Sequence, residues 1–110
     1  MTRLKGAERT YLRGLAHGLR PLVQIGKEGL TEAVLHAIDE ALDANELIKI
    51  RFVAGREEKR TTVVAIDEAL GSECVGLIGH VAIVYRQHPD PERRRIMLPG
   101  EARRPRPTRS

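Results

Sequence analysis

Two glycines, Gly26 and Gly29, frame Lys27 and Glu28 between a short apolar run at 22–25 and a run that reads as a helix from Thr31. Glycine adopts backbone conformations that a Cβ forbids, and it lets another backbone come close. A helix beginning just past such a turn aims free N–H groups and the positive end of its dipole at that spot. The chemistry this favours is the grip of a phosphate or a nucleic-acid backbone, with Lys27 as counter-charge. A second set of cations lies upstream. Lys5, Arg9, Arg13 and His17 are four residues apart, so on a helix they form one ridge with no acid in it. Such ridges are more often solvated faces. Beside the glycine turn, this one reads as a free binding face, with Arg20 extending it.

No catalytic pattern accompanies these residues. The chain has no GxGxxG, GxxxxGK[ST], HExxH or GxSxG. His17, His36, His80 and His88 share no ligand spacing, which argues against a metal site. Cys74 lies in an apolar run with no partner base marked, as a core thiol would. Glu57-Glu58 and Asp67-Glu68 are adjacent, so they read as a helix start and helix surface, not an acid/base couple. The reading is a non-catalytic chain with no metal, cofactor or small-molecule substrate. Tyr11, Phe52 and Tyr85 are the only aromatics. RNA modules that read splayed bases lean on aromatic platforms. Contacts here are expected to be mostly to phosphate and sugar, and strongly salt-dependent.

The elements that position the turn follow from periodicity. Residues 7–18 read as a helix with Leu12, Leu15, Ala16 and Leu19 inward and Gly18 as its cap, before Pro21. Residues 22–25 form a short strand. Thr31 caps a second helix running to about Asp43, with Leu30, Val34, Ala37, Ile38, Ala41 and Leu42 as its buried stripe and acids outside. Residues 47–53 are the strongest strand: Ile48, Ile50 and Phe52 share one face, Lys49 and Arg51 the other. One polar face predicts a sheet covered by helices on one side only. A third helix spans 57–70, with acids in its first turn and Gly71 capping it. Residues 73–78 and 80–86 form a hairpin around Gly79. Residues 96–98 are expected as a short edge strand. The order α-β-α-β-α-β-β predicts an α/β two-layer sandwich on a four-stranded mixed sheet.

Length and charge bound the rest. The 110 residues make one domain, residues 1–98, followed by a basic Pro/Arg-rich tail at 99–110 that is expected to be mobile. There is no apolar run near the roughly 18 residues of a membrane span, no signal-peptide core and no cysteine pair. A soluble cytoplasmic protein is expected. The net charge of +4 is segregated. Residues 1–29 carry six Lys/Arg against two acids, 30–91 six against eleven, and 92–110 seven against two. Basic ends around an acidic middle point to a polyanion partner.

Several stretches together resemble one family. They are Leu15-Ala16-His17, Leu19, Pro21, Ile25-Gly26-Lys27-Glu28-Gly29-Leu30-Thr31, Glu46-Leu47-Ile48-Lys49, and the hairpin from Ile78-Gly79 to Tyr85-Arg86. The chain is similar, over about residues 4–98, to the YhbY family, the small bacterial form of the chloroplast RNA splicing and ribosome maturation domain. The resemblance implies a fold like the C-terminal domain of translation initiation factor three. It also implies that Gly26–Gly29 is the GxxG loop of KH-type RNA binders, which grips a nucleotide backbone. The implied partner is structured ribosomal RNA in precursors of the large subunit. Glu28 puts an acid beside that phosphate path and leaves Lys27 as the loop's only cation. The expected function is RNA binding in large-subunit assembly, by a monomer, through Gly26, Lys27, Glu28, Gly29, Lys5, Arg9, Arg13, His17 and Arg20. The alternative class is a dimeric DNA-binding structural protein, separable by comparing affinity for folded RNA and duplex DNA.

Overall fold

The computed structural model describes residues 3–53 and 58–99. Within them the chain forms α1 (Gly6–Ala16), β1 (Pro21–Ile25), α2 (Glu32–Asn45), β2 (Leu47–Phe52), α3 (Lys59–Leu70), β3 (Glu73–Ile78) and β4 (Val81–Tyr85). This is the expected order of elements. Their ends follow local chemistry. Thr31 is the N-cap of α2, and its hydroxyl accepts the N–H of Val34 at 3.2 Å. Gly71 closes α3 in the left-handed conformation, φ 66°. Helix α1 stops at Ala16, two residues before the expected glycine cap, with His17 at its C-cap. The expected first turn of α3 includes Glu57, which lies outside the described residues; among the described residues the helix opens at Lys59, with no acid in its first turn.

The four strands form one mixed sheet in the order β1-β2-β4-β3. β1 and β2 are parallel neighbours joined through α2. β4 is antiparallel to both β2 and β3 and lies between them, so β2 and β3 run the same way with α3 as their crossover. The β3–β4 connection is the two-residue turn Gly79-His80. Gly79 takes φ 57° at its first central position, where a side chain would be strained.

The sheet's two faces differ in what covers them. On one face Ile48, Ile50 and Phe52 of β2 and Ala82 and Val84 of β4 pack with Ile38 and Leu42 of α2 and Val63 and Ile66 of α3. This is the predicted core. The reverse face is not bare. Leu12 and Ala16 of α1, with Leu4, bury Leu47, Val75, Ile83 and Tyr85 there. The expectation of helices on one side only is corrected by Leu47. It is the first residue of β2 on the Lys49/Arg51 face, and with Ile83 and Tyr85 beside it one end of that face is apolar. α1 covers that end. Leu15 and Leu19, expected inward, are each about two-fifths exposed.

The segment beyond β4 closes the same end. Residues 94–98 form no strand, against expectation. They follow a single 3-10 turn at Pro91–Arg93 and reach Leu98, which is buried with α1. At Arg95 and Ile96 a side chain takes the backbone N–H groups in place of a ladder. Glu46, almost fully buried, accepts the N–H groups of His88 (2.8 Å), Arg95 (2.5 Å) and Ile96 (3.0 Å) on its carboxylate. The tail expected beyond residue 99 lies outside the described residues.

Candidate nucleic-acid interface

β1 delivers the chain to the glycine turn at the carboxyl end of the sheet. The N–H of Gly29 donates to the carbonyl of Gly26 at 3.1 Å, closing a tight turn, and the N–H of Thr31 donates to the carbonyl of Gly29. Gly29 sits at φ 73°, so its lack of a Cβ is required by the backbone. Gly26 is different. Its φ is not positive, and there, as at Gly29, a Cβ would meet no atom within 4 Å. The space beside Gly26 is therefore open to a partner, not filled by this chain. Lys27 and Glu28 are exposed at the tip. Thr31 takes the N–H of Val34, and the first N–H groups of α2 open toward the same turn.

Three connections gather at this end. The N–H of Val53 donates to the carbonyl of Ile25, and that of Phe52 to the carbonyl of His80. The glycine turn, the chain leaving β2 and the Gly79-His80 turn thus lie side by side, beyond the carboxyl ends of three parallel-running strands. Open α/β sheets bind ligands in that position. The Lys59 ammonium at the start of α3 donates to the carbonyl of Gly79, which fixes a cation at the same end. The turn's own balance is acidic, however. Lys27 stands beside Glu28, and Glu32 occupies the first turn of α2.

The predicted basic ridge does not join this cluster as a free face. Arg9 pairs with Glu73 and donates to the carbonyl of Cys74 at 2.9 Å. Arg13 donates to the carbonyl of Val75 at 2.9 Å and to the hydroxyl of Thr10. Both guanidinium groups therefore clasp α1 to β3, an edge strand whose carbonyls would otherwise lack partners. Gly76 makes room for this clasp: a Cβ there would lie 3.2 Å from Cδ of Arg13. Lys5 is exposed at the N-cap of α1, where its N–H donates to Glu8, and His17 is exposed at the C-cap. Arg20 is exposed just before β1, at the opposite end of that strand from Gly26. The structure brings Gly26, Lys27, Glu28 and Gly29 together and leaves Lys5, Arg9, Arg13, His17 and Arg20 along α1 and its exit.

Several other ionisable groups serve the scaffold. Arg86 donates to the carboxylates of Asp39 and Asp43 and to the carbonyls of Asp39 and Leu70, locking α2, the end of α3 and the end of β4 together. Asp67, expected as helix surface, instead accepts the Ser72 hydroxyl at 2.7 Å and the Cys74 N–H at 3.0 Å. Burial pushes its carboxyl above the usual range, against the pull of those two bonds. Burial likewise pushes the Cys74 thiol up, which suits a neutral thiol donating to the carbonyl of Gly76. Among the described residues no three His, Cys, Asp or Glu side chains are grouped to hold a metal ion. No helix among them is long and apolar enough to cross a membrane. Sequence reasoning missed Glu46 and Arg86 as anchors. Only the burial of Glu46 and the convergence of three elements on Arg86 reveal them.

Comparison with known proteins places this arrangement. The chain is 41% identical over 100 residues to an RNA-binding protein of Haemophilus influenzae, spanning 90% of this chain and 98% of that one. It is 35% identical over 97 residues to "Probable RNA-binding protein YqeI" of Bacillus subtilis, covering 87% of this chain and 99% of the relative. The solution structure of SAV1595 from Staphylococcus aureus superimposes with a TM-score of 0.75 at 36% identity, over 88% of this chain and all of that one. The same three helices on a four-stranded mixed sheet are thus shared with a close sequence relative. The pattern of the CRS1 / YhbY (CRM) domain matches residues 4–86, from the Leu4 that α1 buries to the Arg86 that locks the helices, and the chain belongs to that family.

Proposed function

We propose that the chain is a non-catalytic RNA-binding protein that engages structured ribosomal RNA during assembly of the large ribosomal subunit, as a cytoplasmic monomer. The observation that carries the RNA reading is the place of the Gly26–Gly29 turn, which meets the N-terminus of α2 beyond the carboxyl ends of the strands, with no atom of the chain crowding Gly26. A phosphate can approach that backbone as nothing of this chain does. The relatives named as RNA-binding proteins support the class of partner, and the family resemblance supports ribosomal RNA as its source.

The test exploits the emptiness at Gly26. A Gly26→Asp chain has room for its side chain and no backbone strain, so its melting temperature should match the wild type. Its carboxylate occupies the phosphate's place, and affinity for a large-subunit RNA fragment should fall on the order of tenfold or more, the loss of one charge-assisted contact. Filter binding and a thermal melt read the two quantities. Unchanged affinity in the folded variant removes the turn from the site. Equal wild-type affinity for the RNA fragment and for duplex DNA of the same length would favour a DNA-coating role instead.

A further inference from the structure

α1 covers only one end of the reverse face of the sheet. Among the described residues nothing packs on the other end, which borders the glycine turn. Strand register defines what lies there. Gln24 of β1 stands beside Arg51 of β2, Arg51 beside Val81 of β4, and Val81 beside Ile78 of β3. These four residues share the reverse face, because Val23 and Ile25, Ile50 and Phe52, Ala82 and Val84, and Leu77 all pack on the opposite one. They form one row across the whole sheet, about 14 Å at the usual strand spacing. Gln24 and Arg51 are exposed, Val81 is half-buried, and Ile78 is 65% exposed. Among the described residues Arg51 has no ion-pair partner.

We infer that this row is a second contact surface for RNA, taking the bases of a single-stranded segment that leads away from the backbone held at Gly26–Gly29. The inference rests on the proposed function and extends it from phosphate grip to base contact. Two observations select this occupant. The row is continuous with the turn, since Gln24 is separated from Gly26 only by Ile25. It also adds a cation without an ion-pair partner among the described residues, next to a turn in which Lys27 stands beside Glu28 and near Glu32 in the chain. Single-stranded RNA is recognised by stacking on flat side chains, the Arg guanidinium plane included, and by hydrogen bonds to base edges. Arg51 provides the plane, the Gln24 amide provides a donor and an acceptor, and Val81 and Ile78 provide an apolar floor. The row therefore offers base contact without an aromatic platform.

Fluorescence anisotropy with two RNA probes tests this: a short blunt hairpin, and the same hairpin with a single-stranded extension. The wild type should bind the extended probe about tenfold more tightly, the effect of one stacked base. Arg51→Glu and Ile78→Ser should each erase that advantage. A thermal melt confirms that both variants fold. Gly26→Asp should weaken binding to both probes alike. The inference is overturned if the wild type shows no preference for the extension, or if the preference survives in both folded face variants. It is also overturned if sedimentation shows a dimer that Ile78→Ser dissociates, which would give the face to a second copy of this chain. If Gly26→Asp changes neither probe while the face variants behave as expected, the turn reading fails and the face remains.

Discussion

At the scale of single residues, Glu46 has a structural role that no sequence pattern announced. It combines two costs. Its backbone sits at φ 63°, a region that side chains rarely adopt, and its carboxylate is buried. Both are offset by what it holds. Its N–H closes the end of α2 on the carbonyl of Leu42, and its carbonyl accepts the N–H of Arg86. Its carboxylate gathers three N–H groups from residues 88–96. Removing it leaves the buried N–H of His88 unmet, at about 1–3 kcal/mol, and the part-buried N–H groups of Arg95 and Ile96 at less. Glu46→Ala should therefore lose about 2–5 kcal/mol of unfolding free energy, read from urea denaturation. Amide exchange at His88, Arg95 and Ile96 should quicken before that of β2. A loss confined to a few tenths would show that residues 88–98 are not held through this carboxylate.

At the scale of elements, α1 changes character between sequence and structure. Its cations look like a ligand-facing ridge, yet the middle two close the β3 edge of the sheet. The distinction is measurable in the protein alone. Replacing Arg9 and Arg13 together by Ala should lower stability by about 1–3 kcal/mol, because two edge carbonyls and Glu73 lose charged donors that are partly screened by solvent. Replacing Lys5 and His17 together by Ala should leave the urea midpoint within error, since both are exposed. Equal effects from the two pairs would refute the clasp. The order of elements, the Thr31 and Gly71 caps and the β3–β4 hairpin were legible because each rests on local spacing or a local cap. The side of the sheet on which α1 packs was not legible. It depends on Leu47, Val75, Ile83 and Tyr85 coming together from three strands, and no period within one strand reports that. The strand expected at residues 96–98 failed for a related reason: Ile96 and Leu98 do pack inward, but a distant carboxylate takes the N–H groups of Arg95 and Ile96 where a ladder would begin.

At the scale of the whole molecule, the proposed binding divides between charge and shape. The glycine turn was readable because two glycines, a lysine and a capped helix start are contiguous in sequence. The Gln24–Arg51–Val81–Ile78 row was not, since its members meet only through strand register. Charge distribution adds a layer that needs no fixed geometry. Residues 100–110 carry Arg103, Arg104, Arg106 and Arg109 against Glu101. Any phosphate neutralised releases counterions, so affinity falls with salt at a slope of about 0.7 per contact on single strands and about 0.9 on duplexes. If the four tail arginines reach the RNA that the turn holds, changing all four to Gln should reduce the log–log salt slope by about 3. Lys27→Ala should reduce it by about 1. The two variants should differ in one further respect. The tail substitutions should weaken binding to RNA and to duplex DNA by the same factor, because a run of arginines reads only charge. Lys27→Ala should weaken RNA more than DNA, because that contact depends on how the turn is seated. Binding titrations at several salt concentrations with both nucleic acids decide the matter. A slope unmoved by the tail substitutions would take those arginines out of the complex. A Lys27→Ala loss equal for RNA and DNA would make the turn one more non-specific charge.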